Sequence, residues 1–542
     1  MAKKEVNQIN ENILESTRCE FDTTGTIWTD RQFSHPERTI RIATSFSGIS
    51  SPDFALKRLG LKSKIVFACD IGERYLTYSL KKMGDMAKDL SDEYKDSFAD
   101  ALYETKKKEM EARNKNRRKN GEPEIPFTKE NIYDCMFNCG KILTGQYELV
   151  KGCIDILLQY KGITDRKEIE KYVSDLYDEK GRNYVKDAFF ANYDIKEEDW
   201  HTDIRFMDAT PYKGQVDLYV GGSPCCSFSK AGKRLCMEDT RGELIYDYAL
   251  RIKECEPKVF IFENVADIIN PKEAGDWSGL EVALTLFEEL GYKLYWNVMD
   301  GRNYGIPQHR ERVWVVGFKD DVDFKFPNSI PLKLCMYDLL DSDILPRSGE
   351  VHEIDERELT YTEYLRFMGF RDFKVPESIQ ELGKEGVLKK MRFMAGNSMI
   401  VECLMALYLQ MDITKYGVDE FGDMSLKPSL YDYSDDELDG LIKKAESLKE
   451  IHKRSCKADL DYLKNGFLQN PSWEILKVGA KQEAPKGQNK SDSQGYRYHS
   501  VRGVCPTLTK IGHVNIIISN MNINPPKQRW KEPIKRVPTP LW

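Results

Sequence analysis

The sequence predicts an α/β protein built on a doubly wound, mostly parallel sheet. Three observations carry this reading. Short apolar runs such as Lys64–Cys69 (KIVFAC) and Lys258–Phe262 (KVFIF) have the unbroken hydrophobicity of strands buried on both faces. Such runs alternate with helical-looking stretches, as βαβ units require. The run Val216–Val220 breaks at Gly221-Gly222 and delivers Ser223-Pro224-Cys225 to a strand's carboxyl end, where open α/β sheets bind ligands.

Taken in order, residues 1–38 are polar and read as a loose arm. Thr39–Phe46 is a first buried strand and Ser47–Ser51 a turn. Pro52 then opens a helix that Gly60 closes, the usual punctuation of a helix. Such a strand–turn–helix aims backbone N–H groups and a positive dipole end at a ligand, although an ordinary βα turn has the same pattern. Lys64–Cys69 is a second strand ending at Asp70. A carboxylate there can accept both ribose hydroxyls of a nucleoside or simply cap a helix.

Residues 84–195 are highly charged, with long helical runs, and predict a helical insertion. Within them, 104–119 carry Lys106, Lys107, Lys108, Arg113, Lys115, Arg117, Arg118 and Lys119 against three Glu, which suits phosphate contacts and a solvated helix face equally. The core resumes at Trp200. The strands Val216–Val220 and Lys258–Phe262 follow, the second delivering Glu263. Tyr292–Val298 and Val313–Gly317 are two more strands, flanking Gln308–Arg312. The helix Met399–Gln410 packs back on the core. Ser434 and Glu437 form a capping box that opens a later helix with an apolar stripe.

Composition bounds the function only loosely. The 542 residues, 41% hydrophobic, suffice for a large core and more than one domain. A net charge of −7 gives no global basic signature, but nucleic-acid binding depends on a local patch. Thirteen cysteines without a regular framework, and a charged N-terminus, point to a reduced, cytoplasmic setting. No stretch reads as long and apolar enough to span a bilayer. Cys135, Cys139 and Cys153 lack partners at ligand spacing, so no metal site is expected.

The chemistry concentrates around Cys225. A cysteine at a strand's end can act as a nucleophile if something lowers its pKa or stabilises its adduct. The small and basic residues after it, including Ser227, Ser229, Lys230, Lys233 and Arg234, suit a loop closing over an anionic ligand. Alone, Pro224-Cys225 fits an inert buried cysteine better.

It does not stand alone. GGSPCCSFSKAGK closely resembles the catalytic loop of the DNA (cytosine-5)-methyltransferases, with Cys226 where that family usually has Gln. Asp239–Leu244, Phe262-Glu263-Asn264-Val265, Gln308–Trp314 and Gly396-Asn397-Ser398 resemble further blocks in the family's order. The resemblance covers roughly residues 40–83 and 200–410 and implies the S-adenosylmethionine-dependent methyltransferase fold. It also implies residue roles. Cys225 would add to cytosine C6, Glu263 would hydrogen-bond N3 and the exocyclic amine, Arg312 would hold O2, and Arg310 would brace the closed loop. S-adenosyl-L-methionine would be held by Phe46, Gly48, Ile49, Ser50, Ser51, Asp70, Ile71, Asp203, Ile204, Pro224, Leu244, Asn397, Ser398 and Met399. Ser50 and Ser51 stand where the family has glycines. DNA would be met by the loop residues named above and by Gln308, Arg502, Thr507 and Thr509.

The implied function is methylation of cytosine C5 in duplex DNA by base flipping, in restriction–modification or phage DNA protection. The expected protein is monomeric, with a cognate restriction endonuclease as a possible partner. The alternatives are a tRNA cytosine-5 methyltransferase and a catalytically silent DNA-binding relative. One rearrangement is expected. Gly317 and Arg357 lie too close for the usual DNA-reading domain, and the marker segment Pro506–Thr509 comes after the last block. The expected domains are an arm at 1–38, the cofactor half of the catalytic domain at 39–83, the insertion at 84–195, the rest of the catalytic domain at 196–410, and target recognition at 411–542.

Overall fold

The computed structural model describes residues 13–74, 91–119, 121–124, 128–130, 154, 158–159, 161–179, 181–224, 240–271, 278–341, 355–419, 477–480, 497–500 and 515–518. A seven-stranded sheet holds β1 (Thr39–Ser45), β2 (Lys62–Cys69), β3 (Trp200–His201), β4 (Leu218–Gly221), β5 (Val259–Val265), β6 (Lys293–Asp300) and β7 (Glu311–Phe318) in the order β3-β2-β1-β4-β5-β7-β6. All neighbours are parallel except β7, which runs antiparallel to both β5 and β6. The predicted doubly wound, mostly parallel sheet is therefore present. Its winding reverses at β1, which pairs with β2 on one side and β4 on the other, and a ligand crevice forms at such a point.

Two buried clusters cover the two faces. One joins Ile40, Ile42, Phe54, Val220 and Ile261 to Leu404 and Tyr408; the other joins Ala43, Phe67, Tyr219, Phe260 and Phe262 to Tyr248 and Phe287. The strands alternate their side chains between these clusters, so both sets must be apolar, which is why the strands read as continuous hydrophobic runs. At the amino ends of the strands, Asp217 is wholly buried and accepts from Arg41 Nε at 3.0 Å and Nη2 at 2.8 Å, with Lys258 Nζ at 2.9 Å. This tie joins β1, β4 and β5 at the end away from the crevice.

Several boundaries move. The arm predicted to be loose is packed from residue 13 onward. Ile13 and Trp28 are buried, Cys19 N donates to Trp296 O at 3.1 Å, and Asp22 N donates to Phe326 O at 2.7 Å. Isolated apolar residues in a polar stretch have no period, so this docking left no sequence signal. Strand β5 continues through Glu263 to Val265, past its expected end at Phe262.

The described parts of the 84–195 segment are largely helical, including Asp92–Lys119, Arg166–Asp178 and Tyr184–Asn192. Tyr184–Asn192 is integral to the core of the seven-stranded sheet, because Val185, Ala188 and Phe189 belong to one of its two clusters. The chain also stays on the core past the expected boundary at 411. Thr39 N donates to Val418 O at 2.8 Å and Val418 N to Thr39 O at 2.9 Å.

One helical stretch, Gly383–Met411, does reach the length and composition of a membrane span, contrary to the sequence reading. It is broken into Gly383–Asn397 and Val401–Met411, and 78% of its most apolar window is buried inside the protein. Core packing accounts for its apolarity.

A second sheet has four strands in the order β8-β11-β10-β9, from Asp355–Glu358 (β8), Lys477–Ala480 (β9), Arg497–Ser500 (β10) and Asn515–Ile518 (β11). The three tail strands thus join a strand that immediately precedes the core helix Tyr361–Phe367. The predicted helix after Ser434 and the Pro506–Thr509 segment lie outside the described residues.

Candidate active site

The crevice lies at the carboxyl ends of β1, β2, β4 and β5. Parallel registration sets Gly221 beside Ser45 on one side and Phe262 on the other, so Gly222 comes to lie against Glu263. A Cβ on Gly222 would lie 2.6 Å from Glu263 O and 3.2 Å from Oε2, so only glycine lets the chain pass this carboxylate. Gly222 leads directly into Ser223 and the half-buried Pro224. Ser223 is held by Asn264, whose Nδ2 donates to Ser223 Oγ at 3.1 Å and Ser223 O at 3.3 Å. Asn264 was absent from the predicted site residues, although it follows Glu263 in a block that the sequence singled out.

Glu263 is buried on β5. Arg312 is on the adjacent β7, where antiparallel pairing places it across from Val265, on the same sheet face as Glu263. Its Nε lies 3.2 Å from Glu263 Oε1. Burial pushes the Glu263 carboxyl above its ordinary range, and the positive charges of Arg312 and Arg310 only partly offset that. Arg310 is itself buried. Its Nη2 donates to Ser398 O at 2.9 Å and Gly396 O at 3.2 Å, fastening the β7 approach to the end of the helix Gly383–Asn397.

Arg310 N donates to Asp300 Oδ1 at 3.2 Å. Asp300 also accepts from Arg302 Nε at 2.9 Å and contacts His309 Nδ1 at 2.7 Å. Burial alone would raise its pKa, but His309 and Arg302 outweigh burial and bring it to about 2. Asp300, His309 and Glu311 offer ligand atoms within 4.8 Å of one another, but Asp300 is already engaged by Arg302 and His309.

The residues expected to hold the cofactor at 46–51 and 70–71 gather at the ends of β1 and β2. Asp70 follows β2, and its carboxylate accepts from Gly48 N at 2.7 Å and Gly72 N at 2.6 Å. Desolvation nevertheless raises its pKa, against those N–H groups and Arg74. A Cβ on Gly48 would meet nothing within 4 Å, so the loop borders open space there. Phe46, Ile71 and Met399 are half-buried along this edge. Ser51 Oγ donates to Met399 O at 2.8 Å, joining the loop to the segment after Asn397. Asn397 itself is exposed, and Ser398 is buried with its Oγ donating to Met394 O at 2.8 Å.

The structure shows how other predicted contacts are constrained. The side chains of Ile49, Ile204 and Leu244 sit in the apolar clusters, leaving only their backbones for polar recognition. Asp203 is buried and held by Arg205, whose Nε lies 3.0 Å from Oδ1, and by Tyr177 Oη at 2.8 Å from Oδ2. Burial would raise its pKa, yet Arg205 and these hydrogen bonds bring it below the ordinary range. Tyr177 belongs to the helix Arg166–Asp178, so the inserted segment reaches this edge of the site.

Gln308 corrects the sequence reading. It was expected to meet DNA, but it is wholly buried, and neither its Nε2 nor its Oε1 finds a hydrogen-bond partner among the described residues. A polar residue between a loop signal and a basic pair looked exposed; its backbone carbonyl lies against the Gly301 turn, where a Cβ on Gly301 would come within 3.0 Å of it. Cys225, Ser227, Ser229, Lys230, Lys233, Arg234, Arg502, Thr507 and Thr509 lie outside the described residues.

Comparison with known proteins bears on this arrangement. Residues 147–343 match the family model of C-5 cytosine-specific DNA methylases. The match includes Cys225, Glu263, Arg310 and Arg312, and leaves out the loop at 46–51 and Asn397. The Type II methyltransferase M.Sau96I of Staphylococcus aureus is 41% identical over 120 residues, 22% of this chain and 27% of that protein. The orphan methyltransferase M.SPRI of Bacillus phage SPR is 37% identical over 139 residues, 26% and 31% of the two chains. The Type II methyltransferase M.NgoBI of Neisseria gonorrhoeae is 32% identical over 191 residues, 35% and 57%. In these alignments the chain spans between about a quarter and somewhat over half of each relative's length.

Proposed function

From the match of residues 147–343 to the family model of C-5 cytosine-specific DNA methylases, we propose that the protein methylates cytosine C5 in duplex DNA, with S-adenosylmethionine as methyl donor. The observation that carries the reading is the buried Glu263, set between Arg312 and the Gly222–Pro224 strand end that leads into Cys225.

Cytosine C5 is a poor nucleophile. Addition of the Cys225 thiolate to C6 makes a transient enamine-like adduct that raises electron density at C5. Glu263 is the group for N3. Its raised pKa lets the carboxyl hold a proton that can hydrogen-bond N3 as negative charge develops in the ring, while its other oxygen accepts from the exocyclic amine. Arg312, whose Nε lies 3.2 Å from Glu263 Oε1, would hold the cytosine O2. The base must leave the duplex to reach this carboxylate, at a cost of a few kcal/mol that phosphate contacts and loop closure offset.

The residues fit the proposed cofactor. Open space at Gly48, the Asp70 carboxylate at the end of β2 and the Met399 edge would hold the adenosyl part of S-adenosylmethionine, whose sulfonium would supply the electrophilic methyl. Asp70 would accept the ribose hydroxyls with the lone pairs left by Gly48 and Gly72. The adenine edge would meet the backbone at Asp203-Ile204, because the Asp203 carboxylate is engaged by Arg205 and Tyr177.

A role in restriction–modification or phage DNA protection accords with the Type II and orphan methyltransferases among the relatives. Bisulfite sequencing of DNA from cells expressing the protein tests the reading, with duplex DNA and tRNA compared as substrates in vitro. A 5-fluorocytosine duplex should trap the protein covalently, and Cys225→Ser should abolish both trapping and methyl transfer. Trapping through Cys226, or methylation of tRNA alone, would overturn the assignment.

A further inference from the structure

The turn between β1 and the helix Ser51–Arg58 takes a left-handed backbone at alternate positions: Phe46, Gly48 and Ser50 have φ of 55°, 52° and 52°. Only one of the three is a glycine. A side chain in this region meets its own backbone, so a non-glycine there persists only when its surroundings impose it. Ser50 is wholly buried, and its neighbours do impose it. Its Oγ donates to Asp53 Oδ2 at 2.7 Å, and Tyr193 Oη donates to the carbonyls of Ser50 and Ile49, each at 2.9 Å.

The capping pattern is inverted. An ordinary N-cap side chain accepts from N–H groups of the first turn. Ser50 occupies the N-cap without any such bond and donates instead to a carboxylate in that turn. Asp53 is buried, which costs a carboxylate dearly; burial pushes it up to about 6. Asp53 also meets the Ser63 side chain. An acid kept in so unfavourable a place, bonded to the one serine among the described residues that stands in a glycine's conformation, points to a shared task.

We propose that Asp53 is a positioning residue for the cofactor loop, holding Ser50 in its left-handed conformation and so fixing the direction of the Gly48 and Ile49 backbone. The assignment rests on the reading that this loop holds S-adenosylmethionine. Asp53 touches no reacting atom. It replaces, by a hydrogen bond, the freedom that a glycine at position 50 would supply.

The test uses the full chain as wild type, D53A, S50G and S50G/D53A, with S-adenosylmethionine affinity read by calorimetry and Tm read in parallel. D53A should weaken binding about tenfold beside Ser50 and less than about threefold in the S50G background, because two residues acting on one conformation are non-additive. D53N should retain affinity within about threefold, since its amide oxygen still accepts from Ser50. If D53A does not fold, S50A replaces it: it removes the donor but keeps the Cβ and should bind about tenfold more weakly. Equal losses from D53A in both backgrounds, or wild-type affinity in D53A or S50A, would overturn the proposal. A wild type that binds no S-adenosylmethionine would sink the cofactor reading instead. The Tm values would then decide the pair, with non-additive changes expected and additive ones fatal.

Discussion

At Glu263 two opposing effects set the chemistry. Burial favours the neutral acid, Arg312 and Arg310 favour the carboxylate, and burial wins. If the acid form serves N3, activity is present below the raised pKa and lost as pH rises through it, so the limb lies above the ordinary carboxylate range. Glu263→Gln keeps the shape and hydrogen-bonding reach but cannot titrate. It should lower kcat about a hundredfold or more and abolish that limb. A pH profile that keeps the same limb in the variant would assign the titration elsewhere.

Asp53 allows a second test, by stability. Its folded pKa of about 6 exceeds the ordinary 3.8. Stability from this group is therefore full below the lower value and lost as pH rises through the higher one. Asp53→Asn never ionises, so its Tm advantage over wild type should widen between about pH 4 and about pH 7. A constant gap would show that the carboxylate does not titrate on folding.

Residue types were the most legible. Glu263 and Arg312 were singled out in the sequence, each just outside a predicted strand, whereas β5 runs on through Glu263 and β7 begins at Glu311. The burial of Gln308, the Asn264–Ser223 tie and the Ser50–Asp53 bond depend on how elements meet, which no local pattern records.

Among elements, Glu363 organises the largest rearranged region. It is wholly buried, and its carboxylate receives Arg357 Nη1 and Nη2 at 2.6 Å each, Thr360 N at 2.8 Å and Asp341 N at 2.8 Å. It therefore ties the end of β8 and the start of the helix Tyr361–Phe367 to Asp341, across the short interval where the sequence left no room for a domain. Arg392 Nη1 adds a bond to Glu358 Oε1 at 2.8 Å, linking β8 to the helix whose end Arg310 grips. Glu363→Ala would leave Arg357 and two backbone N–H groups without their acceptor. It should cost about 3–5 kcal/mol, read as a lowered denaturation midpoint. A loss below about 1 kcal/mol would mean that water replaces the carboxylate. The Thr360–Glu363 spacing of a capping box stands in the sequence, but the partners Arg357 and Asp341 do not. The docked segment after residue 13 was similarly illegible, because Ile13, Cys19 and Trp28 follow no helical or strand period.

For the whole molecule, the sharpest question is where DNA sequence is read. The sequence placed that function after the last catalytic block, on the late Pro506–Thr509 segment and on basic residues mixed with Tyr496, Tyr498 and Trp530. The fold adds a physical link. The tail strands β9, β10 and β11 complete a sheet whose remaining strand, β8, precedes a core helix, so the tail is attached to the catalytic domain beside the interval that is too short for a domain of its own. A cut must respect the core, which holds the chain through the Thr39–Val418 bridge; the proper truncation point is therefore Asp419. Gly48, Asp70, Glu263 and Met399, which border the crevice, all precede that cut. Truncation there should leave a core that folds and binds S-adenosylmethionine within about threefold of the full chain, as expected of a change remote from the site. Its Tm should fall by several degrees, because β8 loses its partner and becomes an unpaired edge. Site-specific DNA binding should vanish while weak, salt-sensitive binding persists, since phosphate contacts do not depend on base readout. If the truncated protein still methylates the same sequence, target choice resides in the 84–195 insertion or the core, and the tail sheet serves only to brace β8.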